Sequence, residues 1–224
     1  MLVDEGPPEA RVDRQLRRLG VRALAAVVLT HPQRDHIGGA ADVLSKLAVG
    51  SVLDPELPVE SRDEEAARTA ARRRGVRVVT ARAGRAYRLG GLTLRILWPE
   101  GPGPPGEDPN QRAVVILASY GEVDALLTAD AESDVTAPLA HGPVEILKVA
   151  HHGSADPGLR DELRTLRPRV AVISVGARND YGHPTASTLA TLRSVPGLRL
   201  YRTDLDGRVV VETDGVALSV RSER

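Results

Sequence analysis

The sequence predicts an α+β protein, and three observations carry the prediction. Apolar, β-branched runs of strand length alternate with amphipathic helical stretches near both ends of the chain. The middle, from Tyr87, turns to β. Several buried strands stop at a metal-capable side chain: His31, Asp130, His151 and, close by, His183. Core histidines would sit within strands rather than after them. The 224 residues read as one domain, 1–224, long enough for a two-layer or sandwich core.

The elements follow in order. Residues 1–3 begin as though inside a strand, and the Asp4–Gly6 turn reads as a plain connection to a helix. Pro8 suits that helix start, with Val12, Leu16 and Leu19 at helical spacing before Gly20. Residues 23–29 are the pattern of one buried strand. Thr30-His31-Pro32-Gln33-Arg34-Asp35-His36-Ile37-Gly38-Gly39 follows, then a helix over 40–47. On this reading the two glycines let the backbone pass close to whatever the side chains hold. Residues 51–53 form a strand, Ser61 and Glu64 a capping box for a helix over 63–74, and 76–80 another strand. A hairpin spans 87–98, a Pro/Gly-rich loop 99–110, and strands 113–120 and 123–128. Then come a helix over 132–139, a strand over 144–150 ending in His151-His152-Gly153-Ser154, a helix over 159–166 and a strand over 170–175. A helix over 185–192 and two or three closing strands over 198–220 complete the chain.

Composition narrows the chemistry. Lys plus Arg and Asp plus Glu each total 30, so a globally basic nucleic-acid binder is not indicated. There is no cysteine, which removes disulfides, zinc ribbons and thiol nucleophiles. Any metal must be held by imidazole, carboxylate and their N/O neighbours. No apolar run approaches a membrane span and no signal peptide opens the chain, so it reads as soluble and cytoplasmic. His141, on a turn, reads as a surface residue.

Four blocks now resemble a known family: His31-x-x-x-Asp35-His36-x-Gly38-Gly39, Leu127-Thr128-Ala129-Asp130, Lys148-Val149-Ala150-His151-His152-Gly153-Ser154, and Asn179-Asp180-Tyr181-Gly182-His183-Pro184. They are similar to the metallo-β-lactamase fold, and more narrowly to the soluble domain of ComEC-type DNA-uptake (competence) proteins. The resemblance implies an αββα four-layer sandwich with one or two divalent metal ions, zinc or manganese, at the strand ends. It also implies phosphodiester hydrolysis of the DNA strand that is not taken up. Asp35, His36, Asp130 and His151 would form one metal site, and His31, with Asp130 bridging, would begin the other. Gln33 and Asn110 stand where the superfamily has further metal ligands, and amide oxygens are weaker ones. The family's leading strand would precede Met1, so the sheet is expected to lack it. The family's membrane domain is absent too, and the reading is a free-standing relative or an excised domain, with a membrane DNA-uptake channel as a partner.

In the resulting scheme Asp35 orients the attacking hydroxide and His183 contacts the scissile phosphate. Arg178 and Asn179 hold a flanking phosphate, and His152 and Ser154 contact substrate, although Ser154 reads equally as a helix cap. His151 is the preferred ligand of the adjacent pair. The resemblance also implies that Asp4 supports the site from behind the ligands, although the plain-turn reading serves at least as well. Stacking platforms for single-stranded DNA are few: one Trp, four Tyr and no Phe. Two other functions fit the same residues. One is hydrolysis of a small ester, lactone or amide; the other is DNA binding by a relative that has lost catalysis.

Overall fold

The computed structural model describes residues 1–139 and 142–224, so the reading of His141 lies outside the described residues. The chain forms two compact units: Met1–Ala83 with Pro99–Val114, and Gly84–Trp98 with Val115–Arg224.

The first unit holds β1 (Leu2–Val3), α1 (Val12–Arg18), β2 (Ala23–Leu24), β3 (Val27–Val28), α2 (Arg34–Ile37), α3 (Ala40–Lys46), β4 (Ala48–Val49), β5 (Ser51–Asp54), α4 (Arg62–Arg73) and β6 (Arg77–Thr80). Its main sheet runs β1-β3-β5-β6, parallel throughout. The single strand expected over 23–29 is instead two short ones. Hydrogen bonding changes partner between them: β2 pairs with β4, whereas β3 lies between β1 and β5. The core joins Val27, Leu29 and Val52 of the sheet region to Ile37, Val43 and Leu44 of α2 and α3. Ala67, Ala70 and Ala71 add one face of α4, at the i, i+3, i+4 spacing that a buried helix stripe requires. Ser61 caps α4 by accepting from the Glu64 amide at 3.3 Å, but the box does not close. The Glu64 carboxylate takes Arg68 at 3.1 Å instead, beside the buried Asp54 that Arg68 holds with two bonds.

The second unit holds β7 (Ala86–Leu89), β8 (Leu92–Trp98), β9 (Val115–Tyr120), β10 (Val123–Leu127), α5 (Ser133–Thr136), β11 (Ile146–Lys148), α6 (Leu159–Leu166), β12 (Val170–Ile173), α7 (Ala186–Arg193), β13 (Arg199–Arg202), α8 (Thr203–Asp206), β14 (Val209–Thr213) and β15 (Leu218–Ser222). Seven strands form one mixed sheet in the order β13-β12-β11-β10-β9-β8-β7. The β7–β10 half is an antiparallel meander and the β10–β13 half is parallel. β14 and β15 form a separate antiparallel ribbon. The parallel half matters for function, because crossover connections deliver loops to the carboxyl ends of neighbouring strands. Asp130 follows β10, His151 follows β11 and Ser174 follows β12. Leu159, Leu163 and Leu166 turn the apolar face of α6 inward. α8 was not expected; at four residues it is too short for periodicity to reveal. Among the described residues no helix is long and apolar enough to cross a membrane.

Candidate metal centre

In the first unit the site is a turn pinned from two sides. His31 is buried at the end of the β3 run, and Asp35 and His36 lie on α2, four and five residues further on. Their imidazole rings are 4.1 Å apart, and His36 Nε2 is 4.0 Å from Asp35 Oδ2. Asp4, just past β1 and at φ 58°, ties the turn together. It accepts from the Thr30 hydroxyl at 2.7 Å, from the Thr30 amide at 3.3 Å and from His36 Nδ1 at 2.7 Å. With its proton given to Asp4, the Thr30 hydroxyl is left to accept from His31 Nδ1 at 3.0 Å. Burial pushes the Asp4 carboxyl up, but His36, His31 and the Thr30 hydroxyl outweigh it and hold the group below its ordinary value.

The Gly38-Gly39 pair serves a different purpose from the one its sequence suggested. A side chain at Gly39 would meet the Glu5 carbonyl at 2.5 Å, and one at Gly38 would meet Pro8 at 2.6 Å. Glu5 N–H donates to the His36 carbonyl at 2.7 Å and Gly39 N–H to the Gly6 carbonyl at 2.8 Å. The glycines admit residues 4–8, and hence Asp4. Gln33 and Asn110 also meet here, with Gln33 Nε2 donating to Asn110 Oδ1 at 2.7 Å.

In the second unit a buried carboxylate faces two imidazoles. Asp130 is 1% exposed. Its Oδ2 is 3.8 Å from His151 Nε2 and 3.7 Å from His152 Nε2, and Lys148 Nζ lies 3.9 Å from Oδ1. Adjacent residues normally diverge; here both histidines are left-handed, at φ 46° and 52°, and both rings turn to Asp130. His151 Nδ1 donates to Glu132 at 3.0 Å and His152 Nδ1 to the Ser174 carbonyl at 2.7 Å. Ser154 donates to the same Glu132 oxygen, and its hydroxyl is thereby committed to the support of His151. The bond from His151 holds the Glu132 carboxyl down, and the same bond holds the His151 imidazole up. Gly153, at φ 83°, is the close-approach point: a side chain there would meet Pro184 at 2.6 Å. Thr185 N–H donates to the Gly153 carbonyl at 2.9 Å, and His183 comes to 5.5 Å from His151, ring to ring.

The loop carrying His183 is latched by Asn179. Its Nδ2 donates to the His183 carbonyl at 2.8 Å and its Oδ1 accepts from the His183 amide at 3.0 Å. Burial, with His151 and His152 as neighbours, lowers the His183 pKa, so its ring is neutral near pH 7. Tyr181, 76% exposed, lies parallel to that ring at 6.2 Å. Arg178 is exposed on the same loop.

The candidate residues thus gather as His31, Asp35 and His36 in one unit and as Asp130, His151, His152 and His183 in the other. Asn179 acts on the loop backbone. Glu132, Lys148 and Tyr181 were not assigned from sequence, and Asp4 was left between a supporting role and a plain turn. Asp4 had a faint signal, since it is an acid one residue past a strand end; Glu132 lies five residues past β10. The donor set fits a divalent ion. In all four of His31, His36, His151 and His152 the Nδ1–H is engaged by an oxygen, which leaves Nε2 as the ligating nitrogen, the arrangement that orients metal-binding histidines.

The family model of the metallo-β-lactamase superfamily matches residues 1–177. ComE operon protein 3 of Bacillus subtilis (strain 168) is 31% identical over 194 residues, 85% of this chain and 25% of that protein. Recombination protein 2 of Haemophilus influenzae is 31% identical over 179 residues, 79% of this chain and 21% of that protein. Competence protein ComA of Neisseria gonorrhoeae is 29% identical over 199 residues, 86% and 26%. The chain therefore spans about a quarter of the length of these relatives. Among solved structures, the metallo-β-lactamase fold protein YhfI of Bacillus subtilis superposes with TM-score 0.60 at 12% identity, over 89% of this chain and 82% of that one. The diiron β-hydroxylase CmlA of Streptomyces venezuelae does so at 0.55 and 16%, over 81% and 44%. At these identities the two structures speak to fold alone.

Proposed function

The chain belongs to the metallo-β-lactamase superfamily and has its mixed α and β fold, and from that premise we propose that it is a metal-dependent phosphodiesterase that cuts single-stranded DNA during DNA uptake, degrading the strand that is not taken in. The observation that carries this reading is the set of four imidazoles, each anchored through Nδ1, together with the buried carboxylate of Asp130. Relatives named for competence and for recombination support DNA as the substrate and a membrane-borne uptake channel as its source.

Asp35, His36, Asp130 and His151 are the ligands this reading assigns to one ion, zinc or manganese, with His31 at the start of a second set. When bound, such an ion neutralises charge at the phosphoryl oxygens and makes a water acidic enough to attack near neutral pH. The rest is the work of the chain. Asp35, the more exposed of the acids near His36, accepts the proton of the attacking water. His183, neutral and with its backbone latched by Asn179, donates to a phosphoryl oxygen. Arg178 grips the next phosphate with its bidentate fork, and the exposed face of Tyr181 takes a base by stacking. His152 contacts substrate beside His151. A cavity of about 530 Å³ in the second unit lies behind Glu132, and Asp134, Asp156, Asp161 and Glu162 also line it. This acidic lining repels a polyanion, so the strand runs on the Arg178 side.

The test is cleavage of an end-labelled single-stranded oligonucleotide by metal-stripped protein resupplied with manganese or zinc. Cutting should depend on metal and fall at least 100-fold in Asp35→Ala, the scale of a lost general base. A folded protein that cuts with no metal supplied, or with none of those tried, overturns the reading.

A further inference from the structure

Gln33 and Asn110 stand 77 residues apart and join amide to amide, Gln33 Nε2 to Asn110 Oδ1 at 2.7 Å. The Asn110 side is firmly held. It is 9% exposed and sits in a 3-10 turn, Pro109–Arg112. Its backbone N–H donates to the Asp108 side chain at 3.0 Å, and its backbone carbonyl accepts from the Ala113 N–H at 3.2 Å. One residue later Val114 N–H donates to the Thr30 carbonyl at 3.0 Å, which ties this segment to the residue before His31. Gln33 is held as the residue before α2, its carbonyl accepting from the His36 and Ile37 amides. The hydrogen bond therefore joins two fixed backbones rather than two loose side chains.

The consequence for a cation beside His31 is chemical. A primary amide has one ligand-capable atom, its oxygen; its nitrogen is a donor only. The oxygen of Asn110 already accepts from Gln33, and the nitrogen of Gln33 is turned toward Asn110 rather than away. Neither amide carries the charge or the basicity with which imidazole and carboxylate replace a divalent ion's water. A second ion here would find, in place of imidazole or carboxylate, at best two weak amide oxygens, one of them already sharing its electrons with Gln33. His31, with Nδ1 held by Thr30, would be its one strong ligand in this unit.

We propose that the chain binds a single divalent ion per molecule, and that the Gln33–Asn110 hydrogen bond stands in the place of a second. This deepens the metal-dependent reading above and rests on it. The Asp35–His36 side then carries the chemistry, with His31 as a wall of the site rather than half of a binuclear pair.

The experiment is a calorimetric titration of the full metal-stripped chain with manganese, with metal per chain measured after gel filtration and the manganese electron-spin spectrum recorded. One equivalent and an uncoupled manganese signal are expected. Two equivalents, or an exchange-coupled pair, would overturn the inference while leaving the hydrolase reading intact. No binding at all would overturn both, so the two failures are distinguishable. The double variant Gln33→His with Asn110→His should take up a second equivalent. If it folds, by circular dichroism, and still takes one, the amide pair is not what excludes the second ion. If it does not fold, Gln33→Asp, which supplies a carboxylate without new bulk, answers the same question by the same titration.

Discussion

At the scale of single residues, the site depends on acids that touch no metal in the proposed scheme. Asp4 receives three hydrogen bonds, two from Thr30 and one from His36, and so fixes two rings at once, one of them through Thr30. In Asp4→Asn one acceptor becomes a donor facing a ring N–H or a hydroxyl. Metal affinity should fall about 10–100-fold, the usual cost of losing such a partner, while the fold survives. Calorimetric titration of the variant beside wild type checks this; equal affinities would mean that His36 is oriented by packing alone. The histidines and Asp35 were legible in the sequence because they cluster at short spacing after an apolar run. Asp4 was legible only through the resemblance, because its partners are 26 and 32 residues away and a lone acid after a two-residue strand looks like any turn. Glu132 was hidden for the same reason: it reads as the first acid of a helix, and only the fold brings it to His151.

At the scale of elements, two glycines decide whether the site can close. Gly153 lies between the left-handed histidine pair and Pro184, and it is itself at φ 83°. Alanine there meets both a strained backbone and a contact at 2.6 Å with Pro184. Gly153→Ala should cost about 2 kcal/mol of stability in urea unfolding, the midpoint for a non-glycine residue forced left-handed. It should also weaken metal binding by shifting His151 and His152. An unchanged unfolding midpoint would show that the 183–185 segment yields freely. Element boundaries were legible where periodicity is long: α6 falls on the expected residues, 159–166, and α4 within one residue of its expected start. They were least legible at 23–29, where apolar content says strand but cannot say that the ladder changes partner midway. A capping box was legible at Ser61 only as far as its first half, since Arg68 competes for Glu64.

At the scale of the whole molecule, zero net charge conceals acids whose protonation favours the folded state, and these set how stability depends on pH. Glu162, 6% exposed on α6, is pushed up to about 7, chiefly by burial and further by Asp156, although the Thr136 hydroxyl donates to it. Glu64 in the first unit is likewise pushed up to about 7, by burial first and by Asp54 next. Each binds its proton more tightly folded than unfolded. The stabilisation is therefore fully present below about pH 4.5 and is lost as pH rises to about 7. Glu132 and Asp4 act the other way: their lowered values add stability above the ordinary carboxylate range and lose it as pH falls through it. Together the two trends move these groups' best stability to the acid side of neutrality. For Glu162, the step from 4.5 to about 7 corresponds to about 3 kcal/mol at pH 8. Glu162→Gln replaces the protonated acid by a neutral group of the same shape, so it should match wild type at pH 5 and exceed it by up to that amount at pH 8. Urea unfolding of both proteins at the two pH values measures the difference. A variant that is destabilised equally at both would mean that Glu162 folds as a carboxylate, with the Thr136 bond outweighing burial.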